Sequence, residues 1–273
     1  MQQNKLRLIT RRIEALEKRD LRKAKISDLE DELSDIMKGW ATRPLLVEAK
    51  DVFRVRPNSS SELFRTVGDL WYPPRERTLR LGRANDIGKP VFYCADSVNT
   101  AFIENKITTV NDSYTVLKCS RVHKNPMVVD VGVHPLTARH NPNVGGTAPD
   151  GDTELRETLR RNGSWRGNEL IRSFLLRQFS KIVLPGEEHQ YKITIAASQL
   201  LLSSNVDGIC YPSVSSNSMG VNIAFKTEAV DRLYRPVECS VIRVLEIVGN
   251  PGYLVQETHR AKSIAQDWEI NWE

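Results

Sequence analysis

Residues 88–104 read Gly-Lys-Pro-Val-Phe-Tyr-Cys-Ala-Asp-Ser-Val-Asn-Thr-Ala-Phe-Ile-Glu. Gly88 and Pro90 punctuate the start, and the apolar run Val91 to Tyr93 suits extended chain. From Ser97 to about Lys106 the pattern turns helical. Further short extended runs lie on either side: Val52 to Val55 before it, then Tyr114 to Leu117 and Met127 to Val131 after it. Asn141 to Asp152 is rich in Asn, Pro and Gly and reads as an exposed loop. Helical patterns follow over Thr153–Lys181, broken at Asn162-Gly163, and over Tyr191–Ser204. Two more extended runs, Gly208 to Tyr211 and Val241 to Val248, precede a tail bearing Trp268 and Trp272. Strands and helices do not alternate regularly enough for a doubly wound parallel sheet. The expected class is a mixed α+β body.

The first 45 residues differ from this body. Leu6, Ile9, Ile13 and Leu16 are spaced by 3, 4 and 3, and Leu29, Leu33 and Ile36 repeat the pattern after Ser27, an N-cap candidate. One or two amphipathic helices are expected, ending near Gly39, with Pro44 marking the boundary before a body spanning 46–273. Residues 1–25 hold nine basic side chains against three acidic, a balance of +6. The rest of the 273-residue chain holds 30 basic against 31 acidic, so the net charge of +5 belongs to this arm. A basic amphipathic helix invites a nucleic-acid reading, but no DNA-reading motif accompanies it. A helical hairpin or dimerisation helix packed on the body is the favoured reading, with a homo-oligomer expected and nucleic acid not.

Composition narrows the class. With 40% apolar and 27% charged residues the chain is globular. No apolar run approaches the roughly 18 residues of a membrane span, and the N-terminus carries no signal-peptide pattern. Cys94, Cys119, Cys210 and Cys239 lie far apart with no C-x-x-C pair, so reduced thiols and a cytoplasmic location are expected. There is no P-loop, no G-x-G-x-x-G opening a helix, no H-E-x-x-H and no G-x-S-x-G. His134 and His140, with His123 or Cys119, lack the helical spacing of a metal site, and no metal is expected.

Four blocks remain informative in their order. They are Phe53-Arg54-Val55-Arg56-Pro57, Leu70-Trp71-Tyr72-Pro73-Pro74, Gly82-Arg83-Ala84-Asn85 with the stretch ending at Glu104, and Asp207-Gly208-Ile209-Cys210-Tyr211-Pro212-Ser213 followed by Gly220-Val221-Asn222. Taken together they resemble the RES domain, a family named after its Arg, Glu and Ser residues, over about residues 50 to 240. The resemblance implies an ADP-ribosyltransferase-like fold of mixed and antiparallel sheets with flanking helices. It implies an NAD glycohydrolase or phosphorylase, with NAD as substrate, or transfer of ADP-ribose to a protein. Many relatives are toxins paired with an Xre-type antitoxin. Carried over by position, the family's second Arg falls on Arg83, its Tyr on Tyr93, its Glu on Glu104 and its Ser on Ser213. Its first Arg falls on Arg54 or Arg65, each placed after an aromatic, and Arg54 is preferred because the Trp71 block then follows it as in longer RES variants. The basic arm and the long middle region around 135–190 depart from the compact form of the family.

These residue types suit NAD cleavage. Breaking the nicotinamide–ribose bond leaves an oxocarbenium-like sugar, as in glycoside cleavage. Glu104 would stabilise that cation, Arg54 and Arg83 would fork onto the pyrophosphate, and Tyr93 would stack on nicotinamide. Ser213 lacks a nucleophile elbow and would hydrogen-bond substrate or orient Glu104. Asn222 would help order the same loop. The contrasting reading is a non-catalytic scaffold whose basic arm contacts nucleic acid or a partner helix.

Overall fold

The computed structural model describes residues 2–38, 40–42, 44–58, 62–105, 107, 109–131, 149–213, 220–249 and 252–273. Its ten strands are β1 (Leu45–Leu46), β2 (Asp51–Pro57), β3 (Phe92–Ala95), β4 (Ser113–Arg121), β5 (Met127–Asp130), β6 (Gly208–Pro212), β7 (Val221–Phe225), β8 (Tyr234–Gly249), β9 (Gly252–Ile264) and β10 (Ile270–Trp272). They join in the order β1-β5-β6-β7-β3-β2-β4-β8-β9-β10. The pair β5–β6 is parallel and the other neighbours are antiparallel. Seven α-helices appear among the described residues: α1 (Gln2–Glu17), α2 (Ile26–Met37), α3 (Val98–Ile103), α4 (Pro149–Arg161), α5 (Trp165–Phe179), α6 (Lys192–Leu202) and α7 (Thr227–Leu233). The mixed α+β architecture expected from the sequence is the one observed.

Alternation along the strands distributes side chains between three cores. Val52 of β2 joins a cluster with Phe92, Leu117, Ile223 and Phe225, closed by Val67, Leu70, Trp71 and Ile270. Val55, three residues on, faces the opposite way and packs with Phe102, Tyr114 and Val244. Every residue of β6 and β7 is buried, as central strands covered on both faces must be. Ile209, Tyr211 and Ala224 support a layer built from α1, α2, α5 and α6, in which Leu16, Leu29, Leu33, Phe174 and Phe179 are at most 1% exposed.

The basic face of α1 meets acidic groups. Arg12 pairs with Asp35 of α2 at 3.2 Å, Arg19 with Glu32 at 3.2 Å, and Glu17 with Arg177 of α5 at 2.8 Å. Lys192 Nζ closes the connection between α1 and α2 by donating to the carbonyls of Arg22 and Ala24. The carbonyl oxygens of a short turn thereby find the donor they need.

Three local expectations are corrected. Ser27 is not the N-cap of α2: the Leu29 amide already bonds the Lys25 carbonyl, so Lys25 occupies the cap and Ser27 sits within the first turn, donating to Asp28. The helix expected to reach Lys106 stops at Ile103, because Asn105 Nδ2 takes the Ala101 carbonyl at 2.8 Å and a tighter turn follows. The loop expected over Asn141–Asp152 lies largely outside the described residues. Its last four, Pro149 onward, are helical, since proline's missing N–H is not needed in a first helical turn.

Candidate active site

Strands β2 and β3 share a single register pair, Phe53 opposite Ala95. Beyond it β2 zips to β4 along its whole length and β3 to β7. The two halves of the sheet therefore part at this seam, and a cavity of about 270 Å³ opens there. Arg54 and Arg56 line it from β2, Tyr93 from β3, Glu104 and Asn105 from the end of α3, and Tyr211 and Asn222 from β6 and β7.

Glu104 is positioned by the short helix. Ser97 Oγ accepts from the Thr100 amide at 3.1 Å and fixes the N-terminus of α3. One and a half turns later Glu104 reaches Ser213, whose Oγ donates to Oε1 at 2.5 Å across 109 residues of sequence. Ser213 is fully buried and its amide bonds the Gly220 carbonyl at 2.9 Å. Gly220 in turn lies against Thr100: a Cβ there would come within 2.1 Å of the threonine Oγ1. Only glycine lets the β7 entrance approach α3 this closely, and that approach sets the distance between Ser213 and Glu104.

Arg54 is half-buried. Its Nη1 donates to the Tyr93 carbonyl at 2.7 Å, its guanidinium lies 5.4 Å from the Phe92 ring centre, and its Nε is buried with no partner. Burial, with a smaller contribution from the neighbouring charge of Arg56, pushes its pKa down to about 10. It stays a cation at neutral pH. Tyr93 lines the cavity, and its hydroxyl accepts from the Ala84 amide at 2.7 Å and donates to Asn85 Oδ1 at 3.0 Å. Burial raises its pKa, so it remains a neutral wall.

Arg83 is placed otherwise than the sequence suggested. Its side chain is not on the cavity wall: Nη1 donates to the Phe179 carbonyl at 2.6 Å, Nη2 to the Lys181 carbonyl at 3.1 Å, and the guanidinium stacks 5.2 Å from the Tyr191 ring centre. The arginine ties the Gly82–Asn85 loop to the C-terminal end of α5. Gly82 is required beside it, because a Cβ would meet Asn85 Oδ1 at 2.2 Å and the Tyr93 hydroxyl at 2.9 Å. Of the two candidates for the first arginine, Arg54 lines the cavity and Arg65 is exposed outside it.

The Trp71 block acts as an anchor. Trp71 Nε1 and the Tyr72 hydroxyl both donate to Asp231 of α7, at 2.9 and 2.6 Å, and Trp71 packs on Phe92 with ring centres 4.5 Å apart. Asn105 and Tyr211 were not singled out in the sequence. Their adjacency to Glu104 and Ser213 was the available signal. His134 and His140 lie outside the described residues, and among those described no group of three His, Cys, Asp or Glu is placed to hold a metal. All four cysteines are free and buried, with burial raising their pKa. No described helix is long and apolar enough to cross a membrane.

No curated protein matches the sequence. The family model for the RES domain matches residues 51–242, from the first residue of β2 into β8, and so takes in the seam, α3, Ser213 and Asn222. That span is well over half of the chain, and the protein belongs to the RES domain family.

Proposed function

We propose that the protein cleaves the nicotinamide–ribose bond of NAD at the seam between β2 and β3, as a glycohydrolase or phosphorylase. The RES family is one of NAD-using, toxin-like proteins. The observation that carries the reading is the Ser213–Glu104 hydrogen bond, set on a cavity that also holds the unpartnered Nε of half-buried Arg54.

Glu104 supplies the negative charge that a developing oxocarbenium ion needs, and it does so from a fixed position, so little reorganisation accompanies the reaction. Ser213 holds Oε1 and leaves the other carboxylate oxygen for a ribose hydroxyl. Arg54 meets the pyrophosphate with the donors it does not spend on Tyr93, and the Tyr93 ring forms the flat wall for nicotinamide. Arg83 contributes at one remove, by holding the loop whose Ala84 amide and Asn85 side chain fix the Tyr93 hydroxyl. Asn222, directly opposite both Ala95 and Tyr211 in the sheet, closes the floor.

Membership of the family supports a toxin role with an Xre-type antitoxin as partner, and it leaves water, phosphate and a protein open as the acceptor. Purified protein given NAD should release nicotinamide. Running the assay with buffer alone, with added phosphate and with candidate protein acceptors separates the three fates of ADP-ribose. NAD left intact under all three conditions would overturn the reading. Expression in cells should deplete NAD, and Glu104→Gln should abolish the depletion.

A further inference from the structure

We propose that the Tyr211 hydroxyl recognises the carboxamide of the substrate's nicotinamide ring and is a specificity-determining group of the site. This rests on the NAD-cleaving reading of the seam.

Tyr211 stands on β6 directly opposite Asn222 of β7, which is itself opposite Ala95 of β3. One row along, Ile209, Ala224 and Tyr93 stand opposite one another in the same three strands. Residues directly opposite share a face, and alternation adds Ser213, two positions beyond Tyr211. One face of the sheet therefore carries Tyr211, Tyr93, Asn222 and Ser213, with the small Ala224 in the row of Tyr93. Tyr93, Tyr211 and Asn222 line the cavity, as does Glu104, to which Ser213 donates. Tyr211 thus neighbours both the wall proposed for nicotinamide and the serine that holds the carboxylate proposed for the ribose.

The two tyrosines use their hydroxyls differently. That of Tyr93 is spent on the Ala84 amide and Asn85 Oδ1. Tyr211 is only 4% exposed, its ring packs on Phe179 with centres 5.5 Å apart, and its hydroxyl makes no hydrogen bond among the described residues. Burial raises its pKa, with Tyr93 adding to the effect and Arg83 working against it. The hydroxyl therefore stays neutral, able both to donate and to accept. Held largely out of water without a partner, it costs free energy until a ligand supplies one. The charged parts of NAD have their partners in Glu104 and the arginines. The nicotinamide ring bears one hydrogen-bonding group, an uncharged carboxamide with both a donor and an acceptor, and this matches an uncharged hydroxyl with both.

Kinetics with NAD and with pyridine adenine dinucleotide, an analogue lacking the carboxamide, test this alongside thermal unfolding, in wild type, Tyr211→Phe and Tyr93→Phe. Tyr211→Phe keeps the ring on Phe179 and leaves no group of the chain unpaired, so its Tm should hold or rise. Tyr93→Phe strands the Ala84 amide, and its Tm should fall. With NAD, Tyr211→Phe should raise KM about three- to tenfold, the worth of one neutral hydrogen bond, with kcat changed less. The analogue gives the hydroxyl nothing to hold, so its KM, or its inhibition constant against NAD where it is not turned over, should be the same in Tyr211→Phe as in wild type. An equal loss with NAD and the analogue overturns the proposal, because the hydroxyl would then serve the sugar or Glu104, and no loss with either overturns it as well. A fall in Tm as large as that of Tyr93→Phe also overturns it, by making the hydroxyl structural. Wild-type protein that leaves NAD intact sinks the parent reading, and this inference with it.

Discussion

The layer formed by α1, α2, α5 and α6 and the seam between β2 and β3 treat charge in opposite ways. In the helical layer Arg12, Arg19 and Arg177 each face a carboxylate, and the apolar stripe beneath them is closed to solvent. At the seam Arg54 and Arg56 line one cavity with Glu104, which Ser213 tethers, and neither arginine makes a direct ion pair among the described residues. The first arrangement is satisfied as it stands. The second is complete only with a ligand, which is the usual mark of a functional site in a fold that elsewhere obeys the packing rules.

One truncation and three substitutions probe that contrast. Removing residues 1–38 should have the largest effect, because Leu16, Leu29, Leu33 and Ile36 are each at most 1% exposed. At about 1.5–3 kcal/mol for each buried side chain, their loss takes most of a typical domain stability of about 5–15 kcal/mol. The truncated chain should give no cooperative thermal transition, and a normal one would show that the layer is an ornament. Glu104→Gln comes next: kcat should fall about 10²- to 10³-fold, in the range of lost electrostatic stabilisation, while Tm moves little. A large drop in Tm without loss of kcat would reverse the assignment of the seam to function. Ser213→Ala should cost about tenfold in kcat, since Glu104 keeps its charge and loses only its tether. A loss as great as that of Glu104→Gln would make the hydroxyl a direct participant. Arg19→Ala should be the mildest. Exposed pairs contribute about 0.2–1 kcal/mol, so Tm should shift by no more than about 4 °C and nicotinamide release should be unchanged.

Sequence reading reached the site better than the architecture around it. Glu104, Tyr93, Arg54 and Ser213 stand in ordered blocks, and the structure brings all four to the seam. Arg83 was legible as a residue but not as a contact, because its partners are backbone carbonyls at the end of α5, which no side-chain pattern announces. Arg56 entered only as part of the Phe53–Pro57 block. Strands β7, β9 and β10 escaped for different reasons. The five residues of β7 follow a run rich in Ser and Asn in the sequence, which hides their start. β9 carries Gln256, Glu257, His259, Arg260 and Lys262, a polar run that is held extended by pairing with β8 and not by its own propensity. β10 is a three-residue strand that exists through its pairing with β9. The N-terminal charge was counted correctly but in isolation. Its acidic complement sits in α2, which the turn at Lys25 folds back alongside.

The separation of 109 positions between Glu104 and Ser213 sets an order of events on the ribosome. A nascent chain that has emerged as far as β5 already carries both strand arginines, the tyrosine wall and the glutamate, yet it lacks β6 and β7, the strands that complete the other half of the seam. On the proposed chemistry, cleavage can begin only after β6 and β7, which end at Phe225, have been made and inserted into the sheet between β5 and β3. On that reading a product terminated before Ser213 is inert, whatever it already carries of the other half of the seam.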